Sequence, residues 1–90
     1  MDVQVSPVVC WYIRRRGSQL YIWTKPVGGT SGAALLRHTI RRPPAGIEFS
    51  PFEHAGLTVW FERGLDLGRV EIRLSIFGID VSSTYTIAGV

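Results

Sequence analysis

Few side chains in this 90-residue chain are equipped for chemistry, and several of them fall in one run, KPVGGTSGAAL, residues 25–35. A phosphate-binding loop needs Gly-Lys-Ser/Thr at its end, and Lys25 lies on the wrong side of the glycines. A hydrolase nucleophile elbow needs Gly-x-Ser-x-Gly, but Ser31 is followed at once by Gly32. The plain reading is a turn between two strands, with glycines supplying the positive φ angles. Gly28, Gly29, Thr30, Ser31 and Gly32, with the neighbouring Arg37 and His38, are the positions where a ligand or partner contact is expected.

Cys10 is the only cysteine, so one chain can form no internal disulfide and no cysteine-based metal site. Arg14, Arg15 and Arg16 follow it, a setting in which thiols become reactive. The commoner role of a lone cysteine is that of a small core hydrophobe. His38 shares a strand face with Leu36 and Ile40, which predicts a buried, hydrogen-bonded ring; His54 sits in a turn, which predicts a solvated one. A metal would need a third ligand from Asp66, Asp80, Glu48 or Glu53, and no local spacing supplies it. No nucleophile, base and acid stand in a recognisable set. The sequence therefore predicts no metal, no cofactor and no enzyme activity.

The cations offer a second kind of chemistry. Arg14, Arg15, Arg16, Lys25, Arg41 and Arg42 are interleaved with aromatic residues, Trp23 among them. Small β-barrels that hold single-stranded nucleic acid combine a cationic groove with aromatic stacking platforms. Against this, Glu48, Glu53, Glu62, Asp66 and Glu71 dilute the field, the formal charge is only +3, and no nucleic-acid signature is present. A nucleic-acid-binding β-barrel is the alternative reading.

The elements that must position these residues are mainly β. Ser6-Pro7 is a helix start, because serine caps and proline suits the first turn. Val8, Val9, Tyr12 and Ile13 are spaced for one helical face, and Arg14–Arg16 with Gly17 suit a helix end. The strand-like composition of VVCWYIRR is the rival, but the start and stop signals predict a helix over about 7–16. From residue 18 the pattern is β. QLYIWT is apolar on both faces, as in a central strand covered on both sides. Residues 34–41 alternate, RPPAG ends that strand, and HAG joins IEFSPFE to LTVWFER as a hairpin. RVEIRLSI alternates most clearly, with Val70, Ile72, Leu74 and Ile76 on one side. The expected fold is one mainly β domain over 1–90, a small sandwich or barrel of about five to seven strands with one short N-terminal helix. The β core runs over about 18–77, and residues 78–90 form a tail or edge strand.

This order of elements resembles the HesB-like family of A-type iron–sulfur carriers, over roughly residues 5 to 77. Gly28, Gly29, Ser31 and Gly32 match that family's Gly-Gly-Cys-Ser-Gly turn, and Gly56, Leu57, Val59 and Phe61 match its hairpin. The departures are chemical. Thr30 stands where the family has a cysteine ligand, and residues 78–84, GIDVSST, lack the Cys-Gly-Cys expected after the last strand. Soft thiolates hold iron–sulfur clusters, and hydroxyls do not ionise in the range needed to replace them. The resemblance thus implies a HesB-like fold that has lost cluster binding, and a non-catalytic binding or assembly protein.

A domain this small completes its core most readily with a partner, and Trp60 lies on a strand face whose cover the sequence does not name. A protein partner or homodimer is expected. The apolar runs fall short of the about 20 residues of a membrane span, and the first residues lack the pattern of a signal peptide. The sequence predicts a cytoplasmic protein with no membrane contact.

Overall fold

The computed structural model describes residues 1–26 and 34–83. A strand β1 (Asp2–Val5) leads into α1 (Pro7–Arg14), followed by β2 (Gln19–Pro26), β3 (Ala34–Thr39), β4 (Phe49–His54), β5 (Leu57–Glu62), β6 (Arg69–Ser75) and β7 (Gly78–Ser83). The strands form two sheets. One has the order β1-β6-β7, and the other has the order β3-β2-β5-β4. Each sheet contains one parallel pair, β1 with β6 and β2 with β5, and the hairpins supply the antiparallel pairs.

The helix forms where the start signals place it. The Ser6 backbone is extended, and its Oγ accepts from the Val9 amide at 3.4 Å, while Pro7 occupies the first turn. The helix ends at Arg14 with Arg15 as cap, so Arg16 lies beyond it. Gly17 (φ 108°) and Ser18 (φ 62°) then turn the chain into β2. The buried stripe is Val9, Cys10 and Ile13 rather than the predicted set. Val8 stands about 140° from Ile13 around the helix axis and is exposed, while Cys10 takes the inward place.

The core lies between α1 and the inner faces of both sheets. Val9, Cys10 and Ile13 pack with Leu20 and Ile22 of β2, Leu57, Val59 and Phe61 of β5, and Val70 and Ile72 of β6; Leu67 from the loop before β6 closes it. Strand pleating fixes this choice, since alternate residues face opposite sides. β2 is central in its sheet, but it is covered on one side only: Leu20 and Ile22 are buried, whereas Gln19, Tyr21 and Trp23 on the other side are half-buried. In β6 the alternation holds through Leu74, but Ile76 belongs to the turn before β7 and is almost fully exposed, as is Phe77. The predicted strand in the tail is β7, an edge strand over Gly78–Ser83.

The hairpin predicted at residues 54–56 is a two-residue turn. Ala55 (φ 49°) and Gly56 (φ 82°) both adopt left-handed backbone, the geometry that matches the twist of the flanking strands.

Candidate functional site: an uncovered aromatic sheet face and a cationic cleft

The glycine turn singled out by sequence, Gly28 to Gly32, lies outside the described residues. Its two neighbours are on β3, an edge strand. Arg37 is paired in register with Trp23, and His38 with Ile22. Both are exposed. His38 is therefore not the buried ring that its apolar neighbours suggested. It shares a face with core residues, but among the described residues no element lies over this sheet edge far enough to exclude water. Instead it lines a small groove of about 240 Å³ with Tyr12, Arg41 and Phe77.

The outer face of the four-stranded sheet carries an aromatic cluster. Tyr21 on β2 and Trp60 on β5 are register partners, and their rings lie nearly parallel, 6.1 Å between centroids and 10° between planes. Phe49 on β4 meets Tyr21 edge-on at 5.5 Å, a favoured geometry for aromatic pairs. Trp23 continues the row beside Arg37, and Lys25 follows beside Leu35. The helix packs against the opposite face of the sheet, so the described residues leave this face without a covering layer.

The polar groups of this face are bonded to one another. Trp60 Nε1 donates to Gln19 Oε1. Thr58 Oγ1 donates to Glu53 Oε1 at 2.9 Å. Glu62 of this face reaches the strand edge, where the amide and Oγ1 of Thr24, a residue with the inward parity of Leu20 and Ile22, both donate to its Oε1 at 2.9 and 3.0 Å. That last contact has a structural cause. The β2–β5 ladder ends at Ile22 and Phe61, and the carboxylate takes the Thr24 N–H that the ladder no longer reaches.

The cations proposed for nucleic-acid contact are not gathered on this face. Trp23 and Lys25 are on it, but Arg14, Arg15 and Arg16 sit at the C-terminal end of α1, which packs on the other side of the sheet. Arg15 lies over the Trp11 ring at 4.8 Å and Arg16 over Tyr12 at 3.7 Å. Arg41 and Arg42 follow β3 and are exposed. Among the described residues, the ion pairs are Arg63 with Glu48 and both Arg69 and Arg73 with Glu71, which leaves the other cations outside any ion pair.

A second feature lies between α1 and the β4–β5 turn. It is a cleft of about 840 Å³ lined by Cys10, Trp11, Arg14, Arg15, His54 and Gly56, among others. Cys10 is only 7% exposed and belongs to the core, the commoner of the two roles open to it. His54 is the last residue of β4 rather than a turn residue. It is half-buried, with its ring stacked against Phe52 at 6.4 Å, because i and i+2 share a strand face. This cleft could not be read from the sequence, since its walls come from segments about 40 residues apart. Among the described residues, no three of His, Cys, Asp and Glu converge as a metal site. No helix among them is long and apolar enough to cross a membrane.

No family model matches the sequence, and no curated protein matches it. Among solved structures, the chain is similar to IscA, in a crystal structure of that protein with its [2Fe-2S] cluster, at 16% identity and a TM-score of 0.48. The match covers 91% of this chain and 85% of that one. Residue roles do not transfer at that level of similarity.

Proposed function

We propose that this protein is a non-catalytic binding or assembly module that meets a protein partner, in the first instance a second copy of itself, through the outer face of its four-stranded sheet. One observation carries the reading: Tyr21, Trp60 and Phe49, extended by Trp23 and Arg37, form an aromatic row on a face that the described residues leave uncovered. Aromatic residues and arginine are the types enriched at interface centres. The internal bonding of Trp60 and Thr58 lowers the cost of burying that face, because these donors already have partners.

The same reading holds that the module carries no iron–sulfur cluster of its own. A chain with one cysteine, placed in the core, supplies at most one thiolate where such clusters take several. Nucleic acid is the second reading, favoured by Trp23 beside Arg37 and Lys25 on an open sheet face.

Sedimentation velocity across a wide concentration range tests the first reading. Association that strengthens with concentration and is lost in Trp60→Ala is the expected result. A protein that stays monomeric throughout refutes it. A monomer that also binds oligo-dT with a steep salt dependence transfers the function to the second reading. Anaerobic treatment with iron and sulfide should leave the protein colourless. A stable brown form that survives gel filtration would overturn the statement on clusters.

A further inference from the structure

We propose that the cleft between α1 and the β4–β5 turn is a binding site for a small organic anion, a carboxylate or phosphate carried on a flat apolar body. The charge of its walls is of one sign. Arg14 and Arg15 line it with the His54 imidazole, and its lining contains no aspartate or glutamate. Neither arginine is in an ion pair among the described residues, so neither guanidinium has a carboxylate to give up when a ligand arrives. Opposite-charge recognition by arginine is bidentate and specific for carboxylate and phosphate.

The site is also held in shape. Arg15 is laid over the Trp11 indole, which limits its rotamers. Arg14 passes close to Gly56, where a Cβ would stand 3.5 Å from its Nε. Gly56 suits the positive φ of the turn beside which Arg14 lies. His54 is fixed by its stack on Phe52. Trp11 is 57% exposed, an unusual amount for an indole, and it offers the apolar wall against which a flat ligand body would lie. The volume falls in the range of small-molecule sites.

Amide chemical shifts of the full chain, titrated with benzoate, phenyl phosphate, inorganic phosphate and benzyl alcohol, test this. Benzoate and phenyl phosphate should shift the amides of Cys10, Trp11, Arg14, His54 and Gly56 in a saturable way. Inorganic phosphate should bind more weakly, and benzyl alcohol should leave these amides unmoved. Arg14→Gln with Arg15→Gln should weaken benzoate about tenfold or more; both residues are exposed, and retained spectral dispersion will show that the variant folds. Trp11→Ala should weaken benzoate and leave inorganic phosphate unchanged. Three results overturn the proposal: neither aryl anion shifts the cleft, benzyl alcohol shifts it as strongly as benzoate, or the double variant keeps its affinity. The cleft lies on the far side of the sheet from the aromatic face, so this proposal and the one on the partner surface fail independently.

Discussion

Glu62→Ala is the perturbation whose size the structure defines best. Glu62 Oε1 accepts from both the amide and the hydroxyl of Thr24, at the point where the parallel β2–β5 ladder stops. A hydrogen bond to a charged group contributes about 1.5–3 kcal/mol, and a part-buried donor left without a partner costs about 1–3 kcal/mol. The hydroxyl can turn to water, but the amide cannot, so the two bonds do not add in full. We expect Glu62→Ala to destabilise the fold by about 2 kcal/mol. Glu62→Gln keeps an acceptor of the same shape and loses only its charge, so about 1 kcal/mol is expected. For a domain of this size each kcal/mol lowers Tm by about 4–8 °C.

Thermal and urea unfolding followed by circular dichroism will measure both variants, and amide exchange at Thr24 will localise the effect. The expected order is wild type, then Gln, then Ala, with faster exchange at Thr24 in the alanine variant. A Glu62→Ala loss below about 0.5 kcal/mol, the ordinary scale of surface changes, would mean that water replaces the carboxylate freely. So would unchanged exchange at Thr24. Either result would remove the claim that this side chain completes the sheet.

Two further outcomes follow from the turns. Ala55 holds a left-handed backbone at φ 49°, a conformation that asparagine and glycine adopt more readily. Ala55→Asn should raise Tm by about 3–6 °C, whereas Gly56→Ala, at φ 82°, should lower it, and differential scanning fluorimetry will read both. Ile76 and Phe77 are 93% and 92% exposed at the β6–β7 turn. Replacing both by serine should change stability by less than about 0.5 kcal/mol while reducing retention on a hydrophobic column. A large loss of stability would mean that they are covered in solution.

The parts of the fold written in short-range chemistry could be read from the sequence. Ser6-Pro7 announced the helix against its β-like composition, and a capping hydroxyl at Val9 is the reason. His54-Ala55-Gly56 announced a hairpin through its glycine, and Gly56 takes the positive φ that few other residues tolerate. Strand alternation at 70–74 reported its buried side directly. Position within the sheet was harder to read. His38 alternates like a core residue, and only its place on an edge strand exposes it. β1 was missed because four residues with half-buried valines carry little pattern, and its parallel partner β6 lies far along the chain, Asp2 being paired with Arg69. The cleft was invisible for the same reason: Arg14 and His54 become neighbours only once α1 has docked on β5. The glycine turn, where the family resemblance is densest, is not among the described residues, so its role is still an expectation from sequence.

The aromatic face follows from the arithmetic of layers. A sheet with apolar residues on both faces needs two covers, and the described residues provide one short helix and a second sheet, both on the same side. The other face is therefore closed by its own side chains: Tyr21 lies on Trp60, Phe49 against Tyr21, and the indole N–H turns to Gln19 instead of to water. That arrangement suits two states. Alone, each ring shields part of its neighbour, and the polar tips are already bonded. Against a partner, the same rings can be buried without stranding a donor, so the apolar area gained is not offset by lost hydrogen bonds. The proposed partner would meet a face whose indole donor is already bonded to Gln19 and whose Trp23 stands beside an exposed Arg37.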